Sequence, residues 1–300
     1  MGKFFNNRWI LLLVITLTWG SSFILIKKSL VAFTPYEIGA IRIVGSGILL
    51  AIIGIPAIKK MTKKTLLWVT IVGFFGNFLP MFLFPIAQTQ VSSSLAGILD
   101  SLVPVFVLIF GFLLFGIKSK MSQVVGAVIG FLGAASLIYF SDANTEGSQF
   151  GYAMLIVLAG ASYGINAVVI AERTSEVKAV ELTAAVYTIW AIPAMVILYF
   201  TGFIQNFEMK PEYVEPLGYL GFLTIFGTAI AMLLYYKLIQ NTSAVFASTA
   251  SYLLPIVAVI WGIIDGEKFT IWYVLGGILI LIGIYLIREK KVDPNLVPRT

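Results

Sequence analysis

One carboxylate stands within a long apolar run. Asp100 lies four residues before Pro104, and positions 65–99 ahead of it carry no charge at all. A charged side chain at membrane depth costs at least about 2.5–3.5 kcal/mol, so it has to turn toward water or protein rather than lipid. Such a group is a proton-coupling acid or a partner for a substrate ammonium. The structural alternatives are an acid paired with a nearby base, or a span that starts lower and leaves Asp100 near the surface. Arg42 is the one basic residue well inside a second run. Each charge sits about 10 Å below the outer end of its run at 1.5 Å per residue. Equal depth favours an Arg42–Asp100 pair acting as scaffold or gate, because buried membrane charges are usually tolerated by pairing. Held apart across a cavity, they form a zwitterion site instead, with Arg42 on a carboxylate and Asp100 on an ammonium.

Other groups at depth could share this work. Trp19, Tyr163, Tyr187, Trp190 and Trp261 lie near the middles of apolar runs, whereas aromatic belts prefer the interfaces. A central ring suits a cavity wall or a cation–π contact; packing is the expected role of Trp190 and Trp261. Asn77, Asn166, Ser248, Thr249 and Ser251 need partners at depth, either another helix or water and ligand. The chain has neither His nor Cys. That removes disulfides, thiolate metal sites, the commonest general base and a Ser–His protease. No metal and no cofactor is expected, and no nucleotide-binding motif is present.

These residues must be carried by membrane helices. Of 300 residues, 59% are hydrophobic and 11% charged, against about 25% charged in soluble domains. Runs long enough to cross about 30 Å of hydrocarbon occur at 9–26, 36–58, 66–87, 93–115, 122–140, 150–171, 181–203, 217–239, 243–264 and 270–287. The polar stretch from Gln88 to Ser94 divides the third from the fourth. The runs lack the alternation of a membrane barrel. Lys3 and Arg8 precede the first run as in a signal peptide, but no small-x-small site precedes Lys27 and Lys28, so the run is expected to be retained. Basic residues flank the runs, which argues for membrane topology and against nucleic acid. With the N-terminus in the cytoplasm, fifteen Lys and Arg fall inside and four outside. Both termini are therefore expected in the cytoplasm of a multi-pass protein of the cell membrane. This count uses Lys3, Lys118, Arg288, Lys290, Lys291 and Arg299, and it places Asp142 and Glu146 outside.

The two halves repeat. Trp19 matches Tyr163 and Glu37 matches Glu181 at an offset of 144; Pro104 matches Pro255 and Asp100 matches Ser251 at 151; Gly126 and Gly133 match Gly276 and Gly283 at 150. Five spans per copy is an odd number, so the copies insert upside down relative to each other. That is the inverted-repeat plan of secondary transporters, with the substrate near the midplane. The division falls at 1–147 and 148–300. Gly126-x-x-x-Gly130 and Gly160-x-x-x-Gly164 are close-packing spacings. Internal contact, and hence a monomer, is favoured over a dimer through Gly126 and Gly130.

Trp19-Gly20-Ser21-Ser22-Phe23, Arg42, Ser243-Ala244, Pro255 and Gly266-Glu267-Lys268 resemble the drug/metabolite transporter superfamily, EamA type. The first half departs from the pattern, with Gly116-Ile117 where the second has Gly266-Glu267. The resemblance implies ten helices around a central cavity lined by spans 1, 3, 4, 6, 8 and 9, moving small metabolites, often amino acids. It makes Glu267 an anchor for its turn rather than a substrate ligand. The expectation is an all-α membrane protein of ten transmembrane helices in two inverted five-helix repeats, not an enzyme. Its function would be export of amino acids or amines by alternating access, with a passive channel or an intramembrane enzyme as the alternatives. The expected substrate site is Trp19, Asn77, Asp100, Tyr163, Asn166 and Ser251, with Arg42 and Asp100 gating or coupling.

Overall fold

The structure is a computed structural model that describes residues 7–117, 120–140, 148–268 and 270–287. Lys3, Lys118, Asp142, Glu146, Arg288, Lys290, Lys291 and Arg299 of the charge count lie outside them, as does most of the loop joining the two halves. Ten spans follow in order: α1 Arg8–Ser29, α2 Pro35–Lys60, α3 Lys63–Ala87, α4 Ser93–Phe115, α5 Met121–Phe140, α6 Ser148–Arg173, α7 Ala179–Phe200, α8 Pro211–Asn241, α9 Ala244–Ile264 and α10 Ile271–Ile287. Eight are long and apolar enough to cross a membrane. In α5 and α10 the qualifying apolar stretches are shorter, Met121–Ser136 and Ile271–Gly283. With an even number of spans, the start of α1 and the end of α10 fall on one side of the bundle, called the side of the termini; the opposite side is called the far side below.

Local chemistry sets the ends. Thr34 and Glu37 form a reciprocal capping box with Pro35 at the first helical position of α2, satisfying amide groups the helix leaves open. Ser92 caps α4 through the Leu95 amide.

Four spans are irregular, and they come in repeat-related pairs. α3 widens to a π-helix at Phe74–Phe78 and α8 at Leu223–Ile230. In α3 the cause is Pro80, which lacks an amide donor and crowds the carbonyl four residues back; a wider turn relieves both. In α8 the hydroxyls of Thr224 and Thr228 bond to the carbonyls of Leu220 and Leu223 and compete with the regular ladder. α4 is helical to Asp100, breaks, and resumes at Val103 ahead of Pro104. α9 narrows to a 3₁₀ turn at Thr249–Tyr252 ahead of Pro255. Packing repeats too: α2 lies along α7, and α5 along α10. A Cβ placed on Gly283 would fall 2.4 Å from the carbonyl oxygen of Gly126 and 2.6 Å from the Gly130 nitrogen. Those glycines are thus spent inside the molecule, where α5 and α10 meet backbone to backbone.

Candidate functional site

The break in α4 and the π-turn in α8 open one cavity at the centre of the bundle. Its walls include Trp19 of α1, Arg42 of α2, Asp100 of α4, Tyr163 of α6, Tyr235 of α8 and Ser251 of α9. The free space is about 40 Å³, enough for a few waters and too little for a metabolite, so the helices must part to admit one.

Aromatic rings form one wall. The Trp19 ring lies nearly parallel to Tyr163, 13° apart with centroids 6.4 Å distant, and tilts against Tyr235 at 4.9 Å. Phe84 continues the stack on Tyr163 at 6.0 Å. The indole N–H of Trp19 is fixed by the carbonyl of Gly227 at 3.1 Å. Its nitrogen is thereby occupied, leaving ring faces for a ligand.

The charges do not pair as depth alone suggested. Arg42 Nε donates to Thr228 Oγ1 at 3.0 Å. Asp100 Oδ1 is buried without a hydrogen-bond partner. Among the described residues, ion pairs involve only Lys27, Lys28, Asp265 and Glu267. The reason is rotational: the widened turn of α8 presents the Thr228 hydroxyl to the guanidinium. Tyr163 stands within electrostatic reach of both charges. The cavity thus carries one cationic and one anionic group about an aromatic wall, the arrangement a zwitterion or an ammonium ion fits.

Asn77 and Asn166 lie elsewhere. Asn77 is fully buried; its amide nitrogen donates to the Tyr236 hydroxyl at 2.7 Å, and its oxygen accepts from the Tyr187 hydroxyl. Asn166 is also fully buried and packs on α3, where a Cβ at Gly76 would meet its amide carbon at 2.4 Å. Both were at the right depth but face neighbouring helices. Trp190 donates to the Thr70 carbonyl and packs on Phe78, and Trp261 donates to Ser21 Oγ.

Sequence reasoning passed over Thr228, Gly227 and Tyr235. A signal for the first two was present: Phe75-Gly76-Asn77 and Phe226-Gly227-Thr228 match at the same offset of 151 as Asp100 and Ser251. The contacts match as well. Gly76 faces Asn166 and Gly227 faces Ser22, and Ser22 and Asn166 are themselves repeat-related.

Glu267 does more than hold its own turn. Its carboxylate accepts from the backbone N–H groups of Ser93 and Ser94 at 3.0 Å each and from both hydroxyls at 2.7 Å. Lys27 adds an ion pair at 2.9 Å. Burial pushes the Glu267 carboxyl up, but the hydrogen bonds from Ser94, Lys27 and Ser93 outweigh it and bring the group down to about 2. Asp265 is also held below its ordinary value, by hydrogen bonds from Lys27 and Lys28.

A bundle of ten spans in two inverted halves, broken around a central cavity, is the plan of a membrane transporter. A sequence profile of the EamA-like transporter family matches residues 7–139 and 150–288, and the chain belongs to that family. An uncharacterized transporter of Archaeoglobus fulgidus is 28% identical over 286 residues, 95% of this chain and all of its own. The inner membrane transporter YedA of Escherichia coli K12 is 30% identical over 295 residues, 94% of this chain and 92% of its own. One solved structure superposes with a TM-score of 0.63 at 16% identity, over 93% of this chain and 95% of the other; it speaks for the fold.

Proposed function

We propose that this transporter exports small amino acids or amines by alternating access, the two halves rocking about the central cavity. The observation that carries this reading is the pair of unpaired charges, Arg42 and Asp100, on the wall of an aromatic cavity. Asp100 takes the ammonium, the faces of Trp19, Tyr163 and Tyr235 add cation–π attraction, and Arg42 takes a carboxylate where the substrate has one. Ser251, the repeat counterpart of Asp100, offers a neutral hydroxyl from the other half. Asp100 is also the coupling acid, since its carboxylate loses its partner each time the substrate leaves. In this reading Asn77 and Asn166 brace the helices that move. The fifteen-to-four asymmetry of Lys and Arg supports cytoplasmic termini.

Three probes of one carbon skeleton separate the charges: alanine, propylamine and propionate. Thermal-shift measurements on purified protein should show stabilisation by alanine and propylamine and none by propionate. Asp100→Asn should abolish both shifts, and Arg42→Gln should abolish only the advantage of alanine over propylamine. Unchanged shifts in Asp100→Asn, or the same shift from all three probes, would remove the ammonium site.

A further inference from the structure

The two ends of the cavity are built on the same backbone plan but are fastened differently. On the far side, Glu267 and Asp265 in the α9–α10 turn tie together the end of α1, through Lys27 and Lys28, and the start of α4, through Ser93 and Ser94. The turn is shaped for this. Gly266 takes a positive φ of 79°, the Glu267 amide closes back on the Gly262 carbonyl at 2.9 Å, and Gly262 leaves room for the carboxylate to lie over it. A Cβ at Gly262 would sit 2.5 Å from Glu267 Oε2 and 2.0 Å from Ser94 Oγ.

The repeat places the corresponding turn at Gly116-Ile117, on the side of the termini. Gly116 has a φ of 65°, the Ile117 amide closes on the Gly111 carbonyl at 3.1 Å, and the Ile117 side chain lies over Gly111 at 3.5 Å from a Cβ placed there. The plan is alike, although the Ile117 closure spans six residues and the Glu267 closure five, but the carboxylates of the turn and the lysines that meet them are absent. Phe115 stands for Asp265, Ile117 for Glu267, Ala171 for Lys27, Glu172 for Lys28, Ala244 for Ser93 and Val245 for Ser94. What covers Phe115 is the Arg173 guanidinium, 5.2 Å from its ring centroid, a contact without a carboxylate.

We infer that the Glu267 clamp is a one-sided lock that holds the far side shut and biases the transporter toward the conformer that opens on the side of its termini. Opening the far side by separating α1 from α4 strips the Glu267 carboxylate either of its ion pair with Lys27 or of its four hydrogen bonds to Ser93 and Ser94. Among the described residues, opening the other side breaks no such ion pair. Charge-assisted bonds are the strong ones, so the asymmetry acts on the equilibrium and not only on local rigidity. The inference rests on the alternating-access part of the proposed function, and not on the substrate.

The chain has no Cys, so single-cysteine reporters are clean. Ile26→Cys samples the far mouth and its repeat counterpart Ile170→Cys samples the other; both side chains are buried, at 3% and 0% exposure. Each is labelled with a membrane-impermeant maleimide in vesicles of defined sidedness, from the face nearest to it. Glu267→Gln should raise labelling of Ile26→Cys about tenfold, the factor that corresponds to ~1.4 kcal/mol, and should lower labelling of Ile170→Cys. Ile117→Glu combined with Ala171→Lys, which supplies the missing carboxylate and its ion-pair partner, should shift both rates in the same directions. It carries the test by itself if Glu267→Gln folds poorly. Unchanged rates in both variants, or a joint rise at both reporters, overturn the lock. Gly97→Trp serves as a wedge, because even a Cβ there would meet the Ala258 methyl at 2.3 Å. If the wedge exchanges the two rates and the clamp variants do not, alternation stands and the lock alone is refuted. If no variant exchanges them, alternating access falls and the lock with it.

Discussion

Replacing Asn77 with Leu tests whether the amide braces the bundle or serves the cavity. Leu nearly preserves the volume, so the change isolates the hydrogen bonds. Two hydroxyls would lose this amide as partner, Tyr187 and Tyr236, both on side chains with 0% exposure, although Tyr236 also has Asn166 beside it. A buried unsatisfied group costs about 1–3 kcal/mol, whereas interhelical polar contacts in a membrane average about 0.6 kcal/mol and reach about 1.7. Two such contacts are lost at fully buried hydroxyls, so the upper part of the membrane range applies to each, and Asn77→Leu should cost about 2–3 kcal/mol. At roughly 2 °C per kcal/mol for a chain of this size, the melting temperature in detergent falls by roughly 4–6 °C. The triple variant Asn77→Leu, Tyr187→Phe, Tyr236→Phe removes the amide and both hydroxyls at once and should recover most of that loss. Any substrate shift measured for the parent should survive in the triple variant, since none of these groups lines the cavity. A neutral Asn77→Leu, or a triple variant less stable than the single one, would refute the bracing argument. Loss of substrate binding with stability intact would return Asn77 to the site.

The packing of α5 on α10 predicts that Gly283→Leu is destabilising by at least about 2 kcal/mol, while Gly277→Ala, with nothing within 4 Å of its Cβ position, is close to neutral; denaturation of both variants in one detergent checks the contrast. The Glu267 carboxyl is lowered from its ordinary 4.5 to about 2, so its stabilisation is complete above 4.5 and disappears as pH falls through about 2. The difference in melting temperature between the parent and Glu267→Gln should therefore hold from pH 7 to pH 5 and close toward pH 2, and a gap that widens in acid would contradict it.

The spans were legible because the physics that fixes them is local. A charge-free run of sufficient length has one solution in a bilayer, and the boundaries of α4 coincide with its run at 93–115. The far-side turn between α3 and α4 was announced by Gln88 to Ser94. What the sequence left open was orientation about the helix axis. Depth follows from counting residues, and Arg42 and Asp100, level by that count, line the same cavity. Whether two level groups touch depends on how each helix is rotated, and here a π-turn in α8, carrying no proline to betray it, sets Thr228 against Arg42. The same limit explains Asn77 and Asn166, polar and central, yet turned toward Tyr236 and Gly76. Pro80 could have warned of irregularity in α3, and the matched Phe-Gly-Asn and Phe-Gly-Thr triplets would have carried that warning to α8.

The inverted repeat gives the protein two of each contact, and divergence between the halves then makes the members of a pair unequal. Arg42 on Thr228 and Tyr187 on Asn77 join the second span of one half to the third span of the other, at the two π-turns. One contact is charged and lies against the cavity; the other is neutral and sealed in the core. Asp100 and Ser251 occupy matching breaks, one a carboxylate and the other a hydroxyl. Glu267 and Ile117 occupy matching turns, one locked and one free. A strictly symmetric molecule would hold its two open conformers at equal energy and would offer a ligand identical half-sites. Each of these three substitutions adds charge on the same side of the midplane, where Arg42, Asp100 and Glu267 all reside. The half of the cavity toward the far side therefore recognises charge, and the half toward the termini supplies apolar and hydroxyl walls. On the proposed reading, the charged groups of a bound ammonium or zwitterion are accordingly held toward the far side in either conformer.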